Sequence, residues 1–138
     1  MAKKTVNIVV SLLIVLLVPI GFARYLFWEP SGFTKDSWIY WLKVPSDLQT
    51  ISDFSPIETP TYLIRNADGT KNSVLVTDYL STTRDMDVFD KLESPEWECG
   101  FLKCEGGVVC MKEQGVYRIN VMAKTADEKT QIHVSYEW

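Results

Sequence analysis

The sequence predicts an α+β protein: an N-terminal transmembrane or signal-anchor helix, then a small domain with one antiparallel sheet of about five to seven strands and one packed helix. Three observations carry this reading. The 18 residues Val6–Ala23 contain no charged side chain. Downstream, short runs rich in β-branched and aromatic residues alternate with turn-forming clusters. Between them a single helical stripe forms from Met86, Phe89 and Leu92, with Val88 beside it. Strand runs flanking one helix describe a sheet with a helix on one face. The chain divides into an anchor or signal segment over 1–28, a connector and juxtamembrane helix over 29–45, and the α+β domain over 46–138.

At about 1.5 Å per residue, Val6–Ala23 spans roughly the hydrocarbon thickness of a bilayer. Lys3 and Lys4 precede it and favour a cytoplasmic N-terminus, because basic residues resist translocation. As an uncleaved anchor, the helix runs on into Tyr25, Leu26, Phe27 and Trp28, an aromatic group suited to the far interface. As a cleaved secretory signal, it breaks at Pro19 and ends on Gly21-Phe22-Ala23, with small residues where a peptidase requires them. The anchor is the preferred reading. It places the protein in the cytoplasmic (inner) membrane as a single-pass chain, crossing through residues 6–23 with its C-terminal domain extracytoplasmic. The alternative is secretion after cleavage at Ala23.

The 115 residues after Ala23 are enough for one domain. Setting Lys3 and Lys4 aside takes the basic residues from 14 to 12 against 18 acidic ones, and the net charge from −4 to −6. Such a domain repels nucleic acid and anionic lipid, so neither is expected as its main partner.

In order, Glu29-Pro30-Ser31-Gly32 breaks any helix leaving the membrane. Asp36-Ser37 caps a short helix, Trp38–Lys43, with Trp38, Trp41 and Leu42 on one face. The helix is expected to close one side of the domain core; the alternative is a juxtamembrane helix lying at the interface, held by its indole rings. The membrane-interface candidates are therefore Tyr25, Phe27, Trp28, Trp38 and Trp41. Pro45 ends the helix, and Leu48–Phe54 reads as a weakly alternating first strand. Tyr62–Arg65 and Ser73–Leu80 form a hairpin around Asn66-Ala67-Asp68-Gly69-Thr70. Ser81-Thr82-Thr83 with Arg84-Asp85 starts the stripe-bearing helix, and Ser94-Pro95 stops it. Asp85, Asp87 and Asp90 read as its solvated face, because they lack the glycine turn and distal acid of a calcium loop.

Trp97–Lys103 and Val108–Lys112 form a hairpin across Glu105-Gly106-Gly107, and Glu113-Gln114-Gly115 turns into Val116–Lys124. Thr125–Lys129 then connects to Gln131–Trp138. In this last strand Ile132, Val134, Tyr136 and Trp138 alternate with Gln131, His133, Ser135 and Glu137. The alternation proposes a register in which paired numbers sum to 255, setting Ile132 against Ala123, Val134 against Val121 and Tyr136 against Ile119. Glu137 then faces Arg118 and Ser135 faces Asn120. A one-residue slip would turn the apolar row outward. This layout resembles that of small bacterial envelope domains, a likeness of pattern that carries no motif with it.

Cys99, Cys104 and Cys110 lie within 12 residues of one another. In an oxidising compartment two of them pair, and both Cys99–Cys104 and Cys99–Cys110 are compatible with the spacing. Adding His133 completes a Cys3His set, but C-x4-C-x5-C is not a zinc spacing and no metal or cofactor is expected. His133 reads as an exposed, idle histidine. No nucleophile elbow, P-loop, zinc-protease or dinucleotide pattern occurs, and the two glycines Gly106-Gly107 read as a hairpin turn. A thiol enzyme would need a stabilised thiolate; Lys103 and Lys112 are opposed by Glu96, Glu98 and Glu105. The expectation is therefore a non-enzyme. Five tryptophans and six tyrosines exceed the needs of one small core, and aromatic side chains anchor protein interfaces. The leading reading is a membrane-tethered interaction module, an accessory subunit or an inhibitor or immunity-type protein that binds another envelope protein. A secreted binding protein or effector is second and a thiol-dependent enzyme third.

Overall fold

A computed structural model of the 138-residue chain describes residues 2–49, 51, 53–69, 71–102 and 106–138, with the side chains of 2–5 and 7–9 excepted. One antiparallel sheet of seven strands organises it, in the order β1-β2-β3-β7-β6-β5-β4. The strands are β1 (Ser31–Phe33), β2 (Thr61–Arg65), β3 (Val74–Ser81), β4 (Glu98–Phe101), β5 (Val108–Gln114), β6 (Tyr117–Ala126) and β7 (Lys129–Glu137). The helices are α1 (Ala2–Leu26), α2 (Trp38–Lys43), α3 (Ser46–Gln49) and α4 (Asp85–Leu92).

The meander follows the predicted pairing. Ala123 faces Ile132, Val121 faces Val134 and Ile119 faces Tyr136, all summing to 255. Ile132, Val134 and Tyr136 of the expected row are buried, as a period-two pattern requires when one sheet face is covered, whereas Trp138 lies past the end of β7 and is exposed. Three details differ. The β6–β7 connection is only Asp127-Glu128, because Thr125 and Ala126 continue β6 and Lys129 opens β7; Asp127 takes φ +54°, a value an aspartate tolerates in a tight turn. Ser135, expected on the wet face, is buried and accepts a hydrogen bond from Asn120 Nδ2 at 3.3 Å. Arg118 lies opposite Glu137 in register but forms its ion pair with Glu113 of β5, at 2.7 Å.

The β2–β3 hairpin also forms as expected, with Tyr62 against Thr77 and Ile64 against Leu75. What joins the two halves is β3 lying antiparallel to β7, so that Leu75 faces Tyr136 and Tyr79 faces Ile132. Leu75, Ile132, Val121 and Tyr136 make one continuous buried surface across three strands, β3, β7 and β6. Each such side chain contributes about 1.5–3 kcal/mol by burial. The main chain of Trp138 exchanges two hydrogen bonds with Ser73, at 3.0 and 3.1 Å, extending the β3–β7 ladder by a residue.

Two helical layers cover this face. At the β1–β2 end, Tyr40 of α2 packs edge-on against Tyr62, with ring centroids 5.0 Å apart, and Phe33 stacks on Tyr62 from β1. At the other end α4 lies over β5 and β6 with Val88 and Leu92 buried. The stripe is rotated from the expected one: Phe89 is only partly buried and Met86 is exposed. The start of α4 differs too. Ser81 ends β3 and Arg84 occupies the cap position without a side-chain bond, so the hydroxyl cap predicted at Ser81–Thr83 is not used. Ser81 Oγ instead donates to the Phe54 carbonyl and accepts from the Thr83 amide. Asp87 and Asp90 stand in solvent and Asp85 is half-buried, as the solvated-face reading expects.

The first predicted strand, Leu48–Phe54, is not one. Pro45 accepts hydrogen bonds from the Leu48 and Gln49 amides and so opens α3. A proline's fixed φ suits the first turn of a helix, so the residue that ends α2 also begins the next one. Thr50 and Ser52 of that stretch lie outside the described residues. A strand not expected from the sequence, β1, pairs irregularly with β2 in the connector.

Cys99 and Cys110 face each other across β4 and β5 and form the disulfide. Only the Cys99–Cys110 alternative agrees with that register. The enclosed loop is short, and closing it removes about 3 kcal/mol of denatured-state entropy. Cys104 lies outside the described residues, as do Lys103, Glu105 and Thr70 of the predicted turns. Gly107, at the base of the β4–β5 loop, has φ +113°, and a Cβ there would sit 2.4 Å from the Ala123 carbonyl. That close approach of β5 to β6 requires glycine.

Candidate functional site

The most unusual surface of the molecule is where α1 meets α2. Ser37 caps α2 as predicted, its Oγ accepting from the Ile39 amide at 3.2 Å. The helix closes the core with Tyr40 and Val44, both buried. The face formed by Trp38, Trp41 and Leu42 points the other way, with 64%, 67% and 52% of each residue exposed. The helix closes one side of the core as expected, but with Tyr40 instead of the Trp38–Trp41–Leu42 face. A six-residue helix has room for one buried stripe, and Tyr40 takes it because its ring fits between Tyr62 and Trp41.

α1 ends on the same surface. The last carbonyls of a helix lack full intrahelical bonding; the Tyr25 carbonyl accepts a long bond from the Trp28 amide, 3.4 Å, and the domain supplies donors to Tyr25 and Leu26. Lys43 Nζ donates to the Tyr25 carbonyl at 2.9 Å, and Asn66 Nδ2 donates to the Leu26 carbonyl at 3.4 Å. The Lys43 ammonium also stands 3.8 Å from the centre of the Tyr25 ring, a cation–π contact. Partial burial pulls the Lys43 pKa below the ordinary lysine value. Beyond the helix, Trp28 packs against Trp38 with ring centroids 5.8 Å apart. Glu29 Oε1 accepts from the Asn66 amide at 2.8 Å, and the Pro30 carbonyl accepts from the Ile64 amide at 3.0 Å. Phe27 remains 78% exposed.

Of Tyr25, Phe27, Trp28, Trp38 and Trp41, singled out from the sequence, Tyr25 and Trp28 are brought to α2, which carries Trp38 and Trp41, while Phe27 stands exposed just beyond the end of α1. Trp28 meets Trp38 directly, and Tyr25 reaches α2 through Lys43. The residues that hold the junction, Lys43 and Asn66, were not singled out. Lys43 carries a weak signal as the basic residue in the last turn of α2. Asn66 carries none, since only the fold brings it 40 residues back to Leu26.

Along α1 the described apolar side chains from Val10 to Phe22 are exposed all round, with Leu12, Ile14, Leu16 and Ile20 at 56–61%. Pro19 lies inside the helix without ending it. Among the described residues, no helix is long and apolar enough to cross a membrane. The described side chains of α1 run unbroken only from Val10.

Two of the cavities that open elsewhere among the described residues contain side chains weighed from the sequence. One, of about 240 Å³, lies on the sheet face opposite the helices, between Asp78, Leu102, Met122, Lys124, Gln131 and His133. Here His133 is not solitary: its Nδ1 donates to Asp78 Oδ1 at 2.6 Å, across the β3–β7 pairing. The other cavity, of about 380 Å³, lies between Pro95, Glu96, Glu98, Met111, Lys112, Glu113 and Gln114. Lys112 Nζ donates to Glu96 at 2.5 Å and holds that carboxyl below its ordinary pKa. Among the described residues no three His, Cys, Asp or Glu side chains are placed to share a metal ion.

Compared with protein-family models, with curated proteins and with solved structures, the chain has no match in any of the three.

Proposed function

We propose that the chain is a membrane-tethered, extracytoplasmic protein-interaction module, an accessory subunit or an inhibitor or immunity-type protein acting on another envelope protein. The tether is residues 1–28, crossing the bilayer through 6–23; residues 29–45 form the connector, and 46–138 the interacting domain. The observation that carries this reading is the apolar surface of α1 from Val10 to Phe22, whose described side chains stand exposed on every side. Exposed leucine, isoleucine and valine on every side of a helix are costly in water and are satisfied by lipid. The uncharged run Val6–Ala23, the preceding Lys3 and Lys4 and the aromatic group at the helix exit support the same orientation. Tyr25, Phe27, Trp28, Trp38 and Trp41 are the membrane-interface residues in this reading. The Cys99–Cys110 disulfide fits an oxidising compartment beyond the cytoplasmic membrane.

The test has two parts. Carbonate washing of membranes from expressing cells should leave the chain in the pellet with its N-terminus intact. Release into the supernatant with a mature N-terminus at Arg24 would replace the tether with the secreted alternative. Crosslinking in intact cells, followed by detergent extraction and mass spectrometry, should recover one envelope protein reproducibly; no reproducible partner would overturn the interaction module.

A further inference from the structure

We infer that α2 is a second membrane contact, and that its Trp38–Trp41–Leu42 face enters the interfacial layer of the bilayer that holds α1. The domain then stands against the membrane in one orientation instead of hanging from a flexible leash. This rests on the tether reading above, which already sets Trp38 and Trp41 at the interface, and adds to it a docked α2 that fixes the orientation of the domain on the bilayer.

The junction between α1 and α2 is built of fixed contacts. Two terminal carbonyls of α1 are bound by Lys43 and Asn66, Glu29 is bound by the Asn66 amide, and Pro30 is joined to β2. No glycine separates Arg24 from Pro30, so no residue there has a glycine's freedom to turn. An α1 seated in a bilayer therefore carries α2 with it to the exit surface.

The face so presented has the chemistry of an interface residue set. Indole rings combine a large apolar area with one N–H donor, and they collect where hydrocarbon meets headgroups. Trp38 and Trp41 are far more exposed than Trp138, and the buried side chains of α2 are used up on the other face. Phe27 extends the same apolar surface toward α1. Charge plays little part, because the region after the lysine pair is net acidic and the exposed residues are neutral. Zwitterionic phosphatidylcholine is therefore a sufficient partner. A helix of one and a half turns binds membrane weakly alone. Held at the surface by α1, its binding becomes intramolecular, at an effective concentration on the order of millimolar.

The experiment uses the full chain in phosphatidylcholine vesicles, with and without brominated acyl chains, and compares it with W38S/W41S. Subtracting the two emission spectra isolates Trp38 and Trp41. Their emission should be quenched at least twofold by brominated lipid and shielded from acrylamide in the water. Emission that ignores the brominated chains and is fully quenched by acrylamide would overturn the contact. Carbonate washing of the same vesicles reads the tether separately. A retained chain with unquenched Trp38 and Trp41 defeats this inference and leaves the tether standing. A chain stripped by carbonate whose Trp38 and Trp41 were quenched beforehand defeats the tether and keeps the α2 contact.

Discussion

The β5–β6–β7 meander and the α1–α2 junction use the same apolar side chains in opposite ways. In the meander every second residue turns inward, and Cys110, Ala123 and Ile132 are entirely out of contact with solvent. At the junction α2 and its C-terminal cap turn Tyr40 and Val44 to the core, with Ile39 partly buried against it, while two tryptophans and a leucine face outward. Covering the outward set would have required only the opposite rotation of a six-residue helix. With Tyr40 and Val44 buried, the outward face keeps only the ring contacts of Trp38 with Trp28 and of Trp41 with Tyr40. An exposed apolar surface of this kind is a candidate contact site.

The comparison breaks most violently in the meander. Removing Tyr136–Trp138 strips the end of a central strand, taking with it a fully buried ring and the main-chain pair with Ser73. Truncating an aromatic side chain of this kind costs about 3–5 kcal/mol, and the strand loss adds to it. The truncated chain should lose its cooperative thermal transition by circular dichroism; an unchanged Tm would show that β7 does not end the core as described.

A smaller effect comes from titrating the same region. Burial pushes the Tyr136 and Tyr79 hydroxyls up to about 12, and pushes Tyr62 in the same direction. A tyrosine whose folded pKa exceeds its unfolded value contributes stability that is complete below about 10. That contribution is lost as pH rises from about 10 through 12, because only the unfolded chain releases the proton in that window. Tyrosinate absorbance near 295 nm should therefore rise in two phases, the later one together with loss of the far-ultraviolet signal. A single phase at the ordinary pKa, with the fold intact, would contradict the burial of these rings.

Legibility followed locality. The register of β6 against β7 could be read because the two strands adjoin in sequence and their alternation leaves one parity. The β3–β7 pairing could not, since alternation alone is compatible with several neighbours for each strand. The choice of Cys110 over Cys104 needs the β4–β5 register, and Asp78 beside His133 needs β3 beside β7. Leu48–Phe54 misread for a different reason. A proline that ends one helix and opens another looks, from sequence, like a break before a strand. The aromatic surface was legible as a set of residues, but not as a surface. Periodicity places Trp38, Trp41 and Leu42 on one face without saying which way that face turns.

The smallest expected effect is the sharpest test of the contrast. Replacing Trp38 and Trp41 by serine should change the thermal stability of the folded domain by no more than about 0.5 kcal/mol each, the range of ordinary surface substitutions. The same change at a buried position, such as Ile132→Ser, should cost several times more, since it removes packing and buries a hydroxyl. Trp38 has one aromatic partner, Trp28, and that pair is worth about 0.5–1.5 kcal/mol at most when well packed. Trp41 meets the edge of Tyr40 but is two-thirds exposed. If W41S lowers stability as much as Ile132→Ser does, the outward face is part of the core's support and the contrast collapses. If W41S is silent while W38S costs a few tenths of a kcal/mol through Trp28, the cost lies in the elbow that joins α1 to the domain. The indoles are then dispensable for folding, and their exposure has to be explained by what they meet outside the domain.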